Sequence, residues 1–272
     1  MSNTQHISED RFKGHFIAYF DILGYEQYIR KENKAVEIMD AIKGVIHQIR
    51  NNEEVQGSKN YSDGEVKLKV FSDNFIICSE RNWQLIMEIA LILQIEFAKR
   101  SILIRGSLTY GSLYFDDEFI CGEGIIKAYN LESQVAIYPR VVIDKIYLEK
   151  TNGEVRRYAQ NIMNEDASKG ESLGRQVDEI EKFLKECIIE DFDGVRFIDY
   201  LSRRAFAHYI YQLGYEAVRY ESEIDGFLKA HGEHIKANLA IDNLKIRAKY
   251  SWAKNYYNKS CKEQEYGEWH NI

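Results

Sequence analysis

The chain predicts an α+β fold: a small sheet made in the order β-α-β-β-α-β with helices on one face, followed by a mostly helical carboxyl-terminal extension. Three observations carry this. His15-Phe-Ile-Ala-Tyr-Phe20, Val66-Lys-Leu-Lys-Val-Phe71 and Phe75-Ile-Ile-Cys78 are short runs rich in aromatic and β-branched residues, the composition of strands. Between and after them, residues 25–50 and 83–99 repeat their apolar positions at helical spacing. Gly24 and the polar stretch 51–64 punctuate the boundaries. That order is the one of ferredoxin-like and palm-type sheets.

The elements follow in turn. The first strand runs out into Gly24, a tight turn before a helix from Tyr25 to about Arg50, whose Ile29, Val36, Met39, Ile42, Val45, Ile46 and Ile49 make a broad apolar face. After a loop at 51–64, strands at about 66–71 and 74–79 fold back on each other. Trp83 to Lys99 reads as a buried helix; Glu88 and Glu96 interrupt its apolar run. Ile102–Arg105 and Ser107–Tyr114 read as strands around Gly106 and Gly111. Gly122 opens a helix through about Gln134, and Arg140–Ile143, after the only proline, Pro139, approaches a strand or a short helix. We place a first domain at 14–150 and an irregular, helical extension at 151–272, packed on the core or on a partner. In the extension, 152–174 reads as a loop, 177–187 as a helix and Arg196–Leu201 as a short strand or docked segment. A helix from Glu233 to about Lys259 has an apolar surface (Ile235, Leu239, Ile241, Leu244, Ile246, Tyr250, Trp252) and basic residues Lys236, Lys245, Arg247, Lys249 and Lys254. It is a candidate capping or intersubunit element.

Composition narrows the function. A net charge of -7 disfavours a broad nucleic-acid surface, which needs a positive field, but leaves room for a small polyanion held by local cations. Cys78, Cys121, Cys187 and Cys261 form no CxxC pair, which disfavours a zinc knuckle or a disulfide framework; Cys78 and Cys121 read as buried thiols. The polar start, Met1–Lys13, has no signal-peptide core, and no apolar run is of membrane-spanning length, so the expected compartment is the cytoplasm.

Phe20-Asp21-Ile22-Leu23-Gly24-Tyr25 and Phe71-Ser72-Asp73-Asn74 each place one aspartate in an apolar run. A carboxylate at a core edge loses hydration that a partner or a metal must replace. Each alone is explained by a helix cap or a hairpin turn. As a pair on neighbouring strands, they favour one site for divalent cations with oxygen ligands.

These segments resemble the catalytic domain of class III adenylate and guanylate cyclases, and more narrowly the bacterial antiphage pyrimidine cyclases of the Pycsar type. Besides the two aspartate motifs, Ile104-Arg-Gly-Ser-Leu-Thr-Tyr-Gly111 is similar to the family's strand ending in a small-residue turn. Gly122-Glu-Gly-Ile-Ile-Lys-Ala-Tyr-Asn-Leu-Glu-Ser133 is similar to its late helix. The resemblance covers about residues 14–145. It implies that Asp21 and Asp73, with the backbone of Ile22, hold two Mg2+ or Mn2+ ions. The N–H groups of Ile22, Leu23, Gly24 and Tyr25 would then receive the β- and γ-phosphates of a nucleoside triphosphate, and a homodimer would share its sites, with no nucleic acid or membrane partner. It further implies cyclisation to a 3′,5′-cyclic nucleotide, UTP ahead of CTP, as an antiviral signal. The positions matched to the family's ribose-orienting asparagine and phosphate-holding arginine are Ile126 and Asn130. Asn130 can donate hydrogen bonds but cannot neutralise charge. Either Arg140, Lys127 or Arg105 supplies the cation, or the chain is a degenerate nucleotide-binding or interaction module. A diguanylate-synthase-like reading lacks its Gly-Gly-Asp/Glu-Glu-Phe signature.

Overall fold

β1 (Lys13–Ile22) is apolar on both faces, which suits it to the interior of a sheet. In the computed structural model, which describes residues 11–30, 34–51, 66–165, 170–212, 220–267 and 272, it pairs antiparallel with β3 (Asn74–Ser79) on one side and β4 (Ile104–Phe115) on the other. β2 (Lys67–Phe71) pairs antiparallel with β3, so the first four strands run β2-β3-β1-β4, the order expected of a palm-type β-α-β-β-α-β unit. The sheet then continues. β6 (Val141–Ile143) joins β4 in parallel, and β8 (Arg196–Ile198) and β7 (Ile188–Glu190) follow, while β5 (Ile120–Cys121) folds back on the end of β4.

Alternation along β1 divides the core. Phe16, Ala18, Phe20 and Ile22 join the larger cluster with α2 (Ala35–Asn51) and α3 (Trp83–Lys99), where Phe20 stacks on Phe75 at 4.7 Å and Phe75 on Phe97 at 6.1 Å. Ile17 and Tyr19 point the other way, into a small cluster with Leu113 and Ala128 beneath α4 (Glu123–Asn130). That helix lies directly on β4 because both partners are glycine there. A Cβ on Gly111 would come within 2.6 Å of Gly124 Cα, and one on Gly124 within 2.6 Å of Ile17 Cδ1. α4 continues as a π-helical turn, Leu131–Val135.

Several expectations change. The helix expected over 25–50 is two, α1 (Tyr25–Arg30) and α2, and the two strands around Gly106 are one, β4. The expected loop at 152–174 is largely helix: α5 (Lys145–Glu165) runs across residue 150, and α6 begins at Gly170 and ends at Cys187. Gly153 and Gly174 do not break these helices, since each has open space around it and a helical glycine costs only about 1 kcal/mol. After α7 (Arg203–Gln212), the helix expected from 233 to 259 is the end of α8 (Tyr220–Ala237) and most of α9 (Leu244–Glu263). Asn243 starts α9 as its N-cap, accepting from the N–H groups of Lys245 and Ile246. Cys121 is exposed because β5 is a two-residue rim strand, whereas Cys78 is buried. The loop at 51–64 lies, apart from Asn51, outside the described residues. No described helix is long and apolar enough to cross a membrane.

Candidate functional site

The end of β1 and the β2–β3 hairpin bring the two aspartates to one corner. In register, Asp21 faces Asn74 on β3 and Arg105 on β4. Asp73 sits one residue before Asn74, in the two-residue turn, and its carbonyl accepts from Ile22 N–H at 3.0 Å. A turn this tight calls for a left-handed residue, and Ser72 adopts φ +54° to supply it.

Period-two alternation then fills the corner. Tyr19, two residues before Asp21 and on the same face, donates its hydroxyl to Asn74 Oδ1 at 2.9 Å, and Asn74 Nδ2 donates to Asp73 Oδ1 at 3.0 Å. Arg105 Nε donates to Asp21 Oδ2 at 2.8 Å and lies 2.6 Å from Glu132 Oε1. The Nε–H points at Asp21, so Glu132 Oε1 gains the ion pair but no hydrogen bond among the described residues. Glu132 comes from the π-helical turn and is 2% exposed. Burial pushes its carboxyl up to about 7; Arg105 pulls it down, Asp21 and Asp73 push it up, and Lys249 pulls it down. Burial likewise raises the Tyr19 phenol to about 12, with the Glu132 and Asp21 charges adding to it.

A second cation enters from the extension. Lys249 on α9 lies in the field of Arg105, Asp21 and Glu132; burial lowers its ammonium first, then Arg105, against the two carboxylates. Among the described residues it forms no ion pair. Its helix is docked three residues later by Trp252, which stacks on Tyr138 at 5.5 Å and donates to Asp191 at 2.7 Å.

That dock also relocates Arg140. It is fully buried, held by Asp191, Asp193 and the carbonyl of Val135, with its guanidinium against Tyr138, Phe197 and Trp252. An arginine so buried, with both terminal nitrogens paired, is not available to a phosphate. It locks α9 to the sheet. Lys127 turns to Asp144 at 2.6 Å, where Thr109 also donates, and not to the aspartate corner. Ile126 and Asn130 lie on the exposed face of α4, and Asn130 makes no side-chain bond among the described residues. The expected phosphate cradle is narrower too. Ile22 N–H is spent on Asp73 and Leu23 N–H on the carbonyl of Leu103 at 2.9 Å, leaving Gly24, at φ +79°, and Tyr25.

So Asp21 and Asp73 meet at one corner, Arg105 joins them there as the ion-pair partner of Asp21 and Glu132, and Arg140 and Lys127 pair elsewhere. Sequence reasoning assigned nothing to Tyr19, Asn74 or Glu132. Tyr19 could have been found by alternation from Asp21, and Glu132 by its place two residues beyond Asn130.

The corner suits hard divalent cations. Its donors are carboxylate oxygens, and three carboxylates, Asp21, Asp73 and Glu132, face two cations, Arg105 and Lys249. Among the described residues no three His, Cys, Asp or Glu side chains form a closed cage. Two carboxylates with coordination completed by phosphates and water is how Mg2+ is commonly held beside a nucleotide.

No family model and no curated protein matches the chain. Among solved structures, the catalytic core of a rhodopsin-guanylyl cyclase with converted specificity, in complex with ATPalphaS, is similar at 16% identity and TM-score 0.36, over 51% of this chain and 80% of that one. Two structures of a bacterial light-regulated adenylyl cyclase are similar over 51% of this chain. One matches at 13% identity, TM-score 0.35 and 45% of its own length; the other at 15%, 0.36 and 79%.

Proposed function

We propose that the protein is a metal-dependent nucleotidyl cyclase, converting a nucleoside triphosphate to a 3′,5′-cyclic nucleotide and pyrophosphate. The carrying observation is the corner where Asp21 and Asp73, distant in sequence, are tied by the Ile22–Asp73 backbone bond and share a face with Arg105. Asp21 and Asp73 would hold the Mg2+ or Mn2+ ions. When bound, such ions acidify the attacking 3′-hydroxyl and neutralise charge on the departing pyrophosphate.

The chain's own residues do the rest. Gly24 and Tyr25 offer backbone donors beside the carboxylates, with Gly24 allowing close approach. Lys249 supplies the positive charge that Asn130 cannot, through-space attraction drawing the phosphates toward the corner. Arg105 restrains Asp21 and Glu132 and so fixes where the negative charge sits. The motif resemblance supports a pyrimidine substrate, UTP ahead of CTP, and a role in antiviral signalling in the cytoplasm. The exposed Ile126 (62%) and Tyr129 (52%) on α4, beside Asn130, support a homodimer whose second copy covers this face.

The test is to incubate the purified protein with each of ATP, GTP, CTP and UTP plus Mn2+ and analyse the products by mass spectrometry. Cyclic monophosphate from UTP or CTP, lost in Asp21→Asn and in Asp73→Asn, is the expected result. Nucleotide binding with no cyclic product from any of the four would instead establish a degenerate binding module.

A further inference from the structure

The Tyr19–Asn74 pair has no role in what precedes, yet it ends on a carboxylate of the site. We infer that Tyr19 and Asn74 form a hydrogen-bond relay whose function is to aim the Asp73 carboxylate at the cation, which makes both positioning residues; this rests on the metal-site reading above. The polarity of the relay follows from its end. An ionised carboxylate only accepts, so Asn74 must turn Nδ2 toward Asp73 Oδ1 (3.0 Å), which leaves Oδ1 of the amide to accept from the Tyr19 hydroxyl (2.9 Å). Each bond therefore fixes the next.

The need for such a device is local. Asp73 stands in a two-residue turn behind Ser72 at φ +54°, where only its backbone carbonyl is anchored, by Ile22. Nothing else among the described residues holds its side chain, which would otherwise lose rotamer freedom when a cation binds. Tyr19 is the rigid end. It is 7% exposed, packed in the small cluster with Ile17, Ile76 and Ala128, and edge-on to Tyr129 at 6.1 Å. The relay thus carries the order of the sheet into the turn. With Oδ1 engaged by Asn74, Oδ2 is the oxygen left to a ligand. Outer partners of this kind commonly set metal affinity through ligand orientation.

The experiment is a Mn2+ titration of the full chain, without nucleotide, followed by the loss of the free-ion electron paramagnetic resonance signal. Tyr19→Phe keeps the ring and removes the donor; Asn74→Ala removes the bridge. Each should weaken Mn2+ binding by roughly tenfold, with the double variant no weaker than either single one and thermal midpoints kept within a few degrees. Should one variant fail to fold, the other decides. Wild-type affinity in both overturns the relay while leaving the metal site standing, provided that Asp73→Asn has lost affinity. Wild-type affinity in Asp73→Asn, or no Mn2+ binding by the wild type, overturns both.

Discussion

Lys249 shows what a single residue at this site is asked to do. Three carboxylates and Arg105 leave the corner short of positive charge, and Lys249, on a helix more than a hundred residues away in sequence, lies in the field of Arg105, Asp21 and Glu132. Lys249→Ala should lower turnover by about a hundredfold or more, the usual cost of losing a transition-state charge partner. Lys245→Ala, an exposed cation one turn earlier, should leave turnover near wild type. Steady-state cyclase assays of both variants at saturating Mn2+ decide it; equal rates would remove Lys249 from the site. Asp21 and Asp73 were legible in the sequence because a carboxylate inside an apolar run is costly and therefore informative. Arg140 was misread for the converse reason. Its counter-ions, Asp191 and Asp193, lie in the β7–β8 turn, and no local pattern tells that they fold back on it. The same holds for Ile22 and Leu23, whose N–H groups look free at a helix start but are spent on partners brought by the sheet.

At the scale of elements, the position of α4 decides where Glu132 stands. The helix sits on β4 through Gly111 and Gly124, and the clash that a Cβ would cause at Gly124 is partly with backbone, Gly111 C at 3.0 Å, which cannot swing aside. Gly124→Ala should therefore destabilise the fold by about 1–3 kcal/mol and weaken any activity that depends on the Arg105–Glu132 pair. Gly153→Ala is the contrasting case: a helical glycine with nothing within 4 Å, where added methyl should stabilise by up to about 1 kcal/mol. Urea denaturation of the two variants should thus move in opposite directions, and a shared direction would refute the close-packing account of α4. The sequence showed where α4 begins, since Gly122 is a local signal, but the single helix expected through about Gln134 is α4 to Asn130 and then the π-helical turn to Val135. Nor could the sequence separate Gly124 from Gly153, because packing glycines and tolerated glycines differ only in what the fold brings near them. The break between α8 and α9 was likewise hidden, although Asp242-Asn243 held the capping signal.

Across the whole molecule, the chain order of the first four strands and the β2–β3 hairpin were legible in the sequence because their composition and spacing are strong, whereas their order across the sheet comes from the structure. The continuation through β6, β8 and β7 was not legible, since three-residue strands carry no period. That continuation matters for stability, because the extension closes the core around groups that titrate. Glu88, in the middle of α3, is buried at 2% exposure and held by Gln84 at 2.9 Å, with Tyr147 and His208 nearby, His208 Nε2 at 3.6 Å. Burial raises its carboxyl to about 7, and burial with the Arg204 charge lowers His208 to about 4, so the pair is held neutral between those values. For Glu88 the native state keeps a proton that the unfolded chain gives up near pH 4.5. Its contribution to stability is therefore complete below pH 4.5 and is lost as pH rises through about 7. His208 acts in the opposite sense, because the unfolded imidazole gains a proton below pH 6.5 that the native one refuses down to about 4. Wild-type stability should then vary little between pH 5 and 6, where the two slopes oppose each other. Glu88→Gln keeps an acceptor for Gln84 and removes only the acid. Relative to wild type, its stability should rise between pH 5 and pH 8 and level off beyond, which urea denaturation at those pH values measures. A difference that stays constant across the range would mean that Glu88 ionises alike in the folded and unfolded chain, and that the extension does not seal α3 from water.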